Sequence, residues 1–283
     1  MPDTAGDGPY PSIMEVDPAL GDYVVYRPAD LSMVGPGKLG VFVWGNGGCV
    51  DDGASSRQQL SEIASYGYLV IAPGKWRSGP NAKDPRVAGG GPNPDGSFPP
   101  LPTTADDLRK ALDWALGEDG RAGSKYAGLV NHAAVAVGGY SCGGAQAIDV
   151  SGDWRIRTVV IQNSGLFNTG ASRMGGSMAL GKQALDRLHT PVLYLLGGPT
   201  DIAYPNGTDD FARIGRVPIV LVNIPTGHGG TYNDPEGGKG ARIVIDWLEW
   251  QLRGDAKAKA SFVGEDCNLC RDPDATIARK NFP

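Results

Sequence analysis

The chain has 283 residues, 41% hydrophobic and 20% charged, with a net charge of −5. That is room for one large α/β domain or two small ones. The mild acidity and the lack of a Lys/Arg cluster exclude a nucleic-acid footprint. No apolar run approaches the roughly 18 residues of a membrane span, and the 43 glycines follow no fixed period, which excludes collagen and repeat arrays.

In chain order, residues 1–20 are rich in Pro, Asp and Gly and read as an extended arm. Residues 22–27 (DYVVYR) predict a strand, and 39–44 (LGVFVW) a buried strand that runs into Gly45-Asn46-Gly47-Gly48. Residues 55–66 have helical spacing, and 68–72 (YLVIA) predict another buried strand. Residues 77–102 read as a long Pro/Gly loop, and loops of that length within a domain are usually functional or flexible. The helix expected over 104–116 opens on Thr104 with Asp106 and Asp107 in its first turn.

Strands are then expected at 133–137, 158–162, 192–196 and 219–223, alternating with helices at 143–150, 181–188, 209–214 and 240–252. Continuous apolar strands alternating with helices imply a mostly parallel sheet covered on both faces. No linker divides residues 21–283, which read as one domain.

In such a sheet, ligands bind beyond the carboxyl ends of the strands. Gly139-Tyr140-Ser141-Cys142-Gly143 fits the G-x-S-x-G turn that exposes a nucleophilic serine between a strand and a helix. A glycine-rich chain also yields this pattern by chance, and an ordinary strand-to-helix serine is the plainer alternative. A serine nucleophile needs a base, and the base an orienting acid. Of three histidines, His132 and His189 precede strands and fall at the wrong end of the sheet; His228, after 219–223, falls at the right one. Asp201 follows the preceding strand, whereas Asp209 and Asp210 read as the start of a helix and Asp234 comes after the histidine.

An oxyanion would need backbone N–H donors. Cys142 follows the serine, and the Gly-Asn-Gly-Gly-Cys turn after Trp44 offers Gly48, with Cys49 in reserve. The same turn is no dinucleotide site: Val50 stands where a third glycine is needed, and Asp51 and Asp52 come too early for the ribose acid. Cys267-x-x-Cys270 has no further metal ligands nearby and lies in a tail, outside a thioredoxin-like setting.

Together WGNGGC, GGYSCGGAQA, GGPTDIAYPNG and GHGGTY resemble a group of microbial α/β hydrolases. This group is loosely related to dienelactone hydrolases, platelet-activating-factor acetylhydrolases and polyester-cleaving esterases. The likeness spans about Tyr23 to the Cys267/Cys270 tail. It implies an α/β-hydrolase fold and a Ser141–His228–Asp201 triad, and the segment after Gln162 is too short for a large cap domain. It also implies no metal, no cofactor and an extracytoplasmic (secreted or periplasmic) location. Asn46 departs from the pattern, standing where relatives often carry histidine, and a cysteine follows the serine.

The activity expected is hydrolysis of carboxylic esters, of a small molecule or a polymer. The same machinery could serve a lactonase, a peptidase or an acyltransferase, and a silent binding scaffold is the rival of a different class. Neither a nucleic acid nor a membrane is expected as a partner. That topology would also set the turns carrying Cys49 and Cys142 side by side. They could be bridged, with Cys267 and Cys270 forming a separate small loop, or remain two buried thiols.

Overall fold

The computed structural model describes residues 3–84, 100–169 and 176–282. Its strands are β1 (Ser12–Glu15), β2 (Tyr23–Pro28), β3 (Leu39–Gly45), β4 (Tyr68–Pro73), β5 (Val130–Tyr140), β6 (Thr158–Gln162), β7 (Val192–Leu196), β8 (Ile219–Asn223) and β9 (Thr276–Lys280). The helices are α1 (Arg57–Ser65), α2 (Ala105–Glu118), α3 (Cys142–Val150), α4 (Tyr204–Arg213), α5 (Gly238–Arg253), α6 (Ala256–Lys259) and α7 (Asn268–Arg271). Among the described residues the strands make one nine-stranded sheet in the order β1-β2-β4-β3-β5-β6-β7-β8-β9. From β4 to β8 every pairing is parallel; β1, β2 and β9 are antiparallel additions at the two edges.

The pleat sends alternate side chains to opposite faces, and the central strands are apolar on both. Leu39, Val41 and Val43 of β3 meet Leu108 and Leu112 of α2 and Ile148 of α3 in one layer. Phe42 and Trp44 of the same strand meet Leu60 and Ile63 of α1 and Val244, Trp247 and Leu248 of α5 in the other. The α2 start has the capping box its sequence suggests: the Thr104 side chain caps the Asp107 N–H, and the Asp107 carboxylate accepts the Thr104 N–H at 2.8 Å.

Two strands carry no sequence signal of burial. β1 lies within the segment read as an arm and pairs with β2, while β9 pairs with β8. Both are short edge strands with exposed positions, so apolar alternation is missing from them. Charge fixes the first: Glu15 accepts two hydrogen bonds from Arg27, at 2.9 and 3.0 Å, and pairs with Lys125. Burial works to raise the Glu15 carboxyl, but these cations outweigh it and hold it at about 2.

The helix expected over 181–188 is a 3-10 turn, Lys182–Arg187. It is too short for an α-helical nucleus and is stopped ahead of Pro191. The helix expected over 209–214 begins earlier, at Tyr204, with Pro205 in its first turn. Asp209 and Asp210 are therefore in its second half, not at its start. Asp210 is fully buried and accepts from Lys182 Nζ (2.6 Å), the Leu166 N–H (2.8 Å) and the Tyr194 hydroxyl (3.1 Å). Burial raises its carboxyl despite Lys182.

Removing the Lys182 charge strands that buried carboxylate. Lys182→Met should lower the unfolding free energy by about 3 kcal/mol at neutral pH. The loss should shrink in acid, where protonation of Asp210 relieves the unpaired charge. Denaturant unfolding at two pH values checks both parts.

Candidate active site

Ser141 is the single residue between β5 and α3, and its backbone sits at φ 53, ψ −117. A side-chain-bearing residue adopts that region only under constraint, at a cost of about 1–3 kcal/mol. The constraint is visible. The Ser141 N–H donates to Gln162 O (3.0 Å) and its carbonyl accepts from the Ser164 hydroxyl (2.6 Å). Meanwhile the start of α3 is pressed against the end of β3. A Cβ on Gly143 would lie 2.0 Å from the Gly45 carbonyl oxygen, so no other residue fits there.

His228 and Asp201 reach the same edge of the sheet from the loops after β8 and β7. His228 Nε2 is 3.0 Å from Ser141 Oγ, and its Nδ1 is 2.6 Å from Asp201 Oδ1. The imidazole is about a quarter exposed, while the Asp201 side chain is fully buried. The two loops are tied together by the Gly227 N–H, which donates to Gly197 O at 2.9 Å. Asp201 Oδ1 also accepts from the Ala203 N–H (2.9 Å), and Oδ2 from the Gly197 N–H (3.0 Å) and Asn163 Nδ2 (2.8 Å). Burial pushes this carboxyl up, but the hydrogen bonds, led by that of His228, prevail and bring it down to about 2.

The remaining candidates are elsewhere. His132 is exposed beside Asp119, and His189 is exposed near the Arg187 carbonyl. Asp209 pairs with Arg213 and Lys182, and Asp234 is exposed before α5. Among nearby aromatic residues, Trp44 and Tyr232 are buried, while Phe167 is exposed. Part of the long 77–102 loop (residues 85–99) and residues 170–175 lie outside the described residues.

Opposite Ser141, Gly47–Cys49 form a 3-10 turn in which Gly48 takes φ 62. Among the described residues, the N–H groups of Gly48 and Cys142 donate to no protein acceptor. The Cys49 N–H, held in reserve as a donor, is spent on Asn46 O at 3.1 Å. A disulfide joins Cys49 to Cys142 with the Cα atoms 5.3 Å apart, and a second joins Cys267 to Cys270.

Three buried side chains hold this turn, and the sequence does not single out two of them, Thr103 and Gln146. Buried Asn46 donates from Nδ2 to Val50 O (3.0 Å) and Pro73 O (2.7 Å), a role for its amide within the turn. Thr103 donates to Cys49 O from its hydroxyl (3.0 Å) and its N–H (3.1 Å). Gln146 of α3 donates to Thr103 O at 2.7 Å. All three are polar groups buried in this chain, and burial is what a lone sequence does not display.

Among the described residues no group of three or more His, Cys, Asp or Glu side chains is placed to hold a metal ion. No helix among them is long and apolar enough to cross a membrane. The chain matches no protein-family model and no curated protein.

The lowered Asp201 carboxyl links the site to stability. Its ionised form favours the folded state at all pH above the ordinary value of 3.8, and that contribution is lost as pH falls from there through about 2. Unfolding free energies measured across this interval should therefore fall more steeply for the wild type than for Asp201→Asn. A non-reduced digest should also yield a peptide pair joined through Cys49 and Cys142.

Proposed function

We propose that the protein is a serine hydrolase of the α/β-hydrolase fold that cleaves carboxylic esters. The observation that carries this is the unbroken contact series Asp201 Oδ1–His228 Nδ1 and His228 Nε2–Ser141 Oγ, ending on a serine in a strained strand-to-helix turn. The parallel centre of the sheet and the chain order Ser141, Asp201, His228 fit that fold.

In this reading Ser141 Oγ attacks the ester carbonyl carbon while its proton passes to His228 Nε2. Asp201, ionised and accepting a hydrogen bond from Nδ1–H, fixes the tautomer and stabilises the imidazolium. The negative charge arriving on the carbonyl oxygen is met by the N–H groups of Cys142 and Gly48, which have no competing acceptor among the described residues. The tetrahedral adduct expels the alcohol, which takes the proton from His228 and leaves an acyl-serine. A water molecule then gives its proton to His228, attacks the acyl carbon and releases the carboxylic acid with Ser141 restored. No step calls for a cofactor. The disulfides suit an oxidising compartment, and we place the protein outside the cytoplasm.

Ser141→Ala and His228→Ala should each lower kcat on aryl esters by about 10⁴-fold or more, and the double variant should add little. Asp201→Asn should lower it by about 10²–10⁴-fold with the fold intact. A fluorophosphonate should label Ser141 in the wild type and not in His228→Ala. Ester hydrolysis persisting in Ser141→Ala would overturn the assignment.

A further inference from the structure

Directly after β6, Asn163 is buried with its backbone at φ 44. Asparagine tolerates this left-handed region better than other side-chain-bearing residues, and glycine would do so at no cost. The position nevertheless carries a side chain, and all of that side chain's amide is in use. Nδ2 donates to Asp201 Oδ2 (2.8 Å) and to the carbonyl of Gly227 (3.0 Å), the residue before His228. Oδ1 accepts from the Tyr232 hydroxyl at 2.5 Å. One amide thus spans the acid and the loop carrying the base.

The orientation of that amide is set by two acceptor-only neighbours, the Asp201 carboxylate and the Gly227 carbonyl, and Tyr232 completes it from the oxygen side. Turned over, Asn163 would set its oxygen against the Asp201 carboxylate and its NH₂ against the tyrosine. Tyr232 is buried, and burial above all, with the Asp201 charge adding, holds its hydroxyl protonated well above the ordinary tyrosine range. The protonated hydroxyl donates to Asn163 Oδ1, the one amide atom that the two acceptors leave facing it. The Tyr232 ring also lies 4.4 Å from the ring of Tyr140, which lies 5.3 Å from the imidazole of His228. The same residue supports the acid through Asn163 and backs the base through Tyr140.

We infer that Asn163 and Tyr232 are positioning residues for the His228–Asp201 pair, a role that rests on the hydrolase reading above. Asn163 holds the second carboxylate oxygen so that the first stays on His228 Nδ1, and it fixes the backbone next to His228. Tyr232 fixes Asn163. Neither touches the reacting atoms, so their loss acts on the chemical step and leaves substrate binding in place.

The test uses Asn163→Gly, which keeps the backbone conformation and removes the amide, and Tyr232→Phe, which keeps the ring packing and removes the hydroxyl. Asn163→Gly should lower kcat by about 10–100-fold, and Tyr232→Phe by about 3–10-fold, with KM within about twofold of wild type. The low-field proton resonance of His228 Nδ1–H, which needs no substrate, should be displaced or broadened in both variants. Wild-type kcat in both variants overturns the inference, and so does an unchanged resonance in both. If the wild type shows no Ser141-dependent hydrolysis, it is the catalytic reading that fails. The resonance still decides whether Asn163 and Tyr232 hold the pair.

Discussion

The carboxyl edge of the sheet is organised around one backbone-to-backbone contact, the approach of the turn after β5 to the end of β3. Gly45 and Gly143 meet with no room for a Cβ on either: the built atoms would fall 2.6 Å from Gly143 O and 2.0 Å from Gly45 O. This contact brings α3 in close enough that Ser141 must turn at φ 53. It also sets the Gly47–Cys49 turn beside the first N–H of α3. The parallel pairing of Gly45 with Gly139 puts the two strand ends level, so neither turn can retreat from the other. Strain in Ser141, approach of the two N–H groups and closeness of the two cysteines are thus consequences of one packing event.

Much of this was legible from residue order. Strand ends are visible because buried parallel strands are continuous apolar runs, and in a parallel sheet every strand's carboxyl end faces the same edge. Elimination among three histidines then leaves His228, and the loop after the preceding strand leaves Asp201. What failed to show is equally specific. β1 and β9 lie on sheet edges and bury too little for a pattern to form. Asn163, Asn46, Thr103 and Gln146 are polar residues whose meaning comes from burial and partners. A sequence gives the type of a polar residue but not whether water reaches it. Asp209 and Asp210 were misplaced for a related reason: acidic residues favour a helix start, but here Tyr204-Pro205 supplies the start instead.

Asp201 and Asp210 show how much the surroundings decide a carboxylate's character. Nine residues apart, both are buried, and burial pushes both upward. Asp201 is met by two backbone N–H groups, the Asn163 amide and His228, which together reverse the shift. Asp210 is met by Lys182, one backbone N–H and a tyrosine hydroxyl, and stays raised. The first is held as an anion by two backbone N–H groups, a side-chain amide and an imidazole. The second is held by a fixed cation, an arrangement suited to joining the Lys182–Arg187 turn to α4. Position in sequence does not separate these roles; the donor set does.

The two halves of the site are stiffened by different means, and the difference follows from what the chain has to work with at each. Where the Gly47–Cys49 turn meets α3, glycines remove the side chains that would ordinarily interlock, so backbone contact takes the place of side-chain packing. The Cys49–Cys142 bond adds a covalent constraint to that contact, and Asn46 and Thr103 hold the turn through further hydrogen bonds. Where His228 and Asp201 meet, full-sized side chains are present, and hydrogen bonding suffices: Asn163 spans Asp201 and Gly227, and Tyr232 donates to Asn163. Electrostatic preorganisation requires donors that do not move when charge develops. A covalent tie at the side-chain-poor joint and an amide bridge at the side-chain-rich one meet that requirement in the two ways the sequence permits.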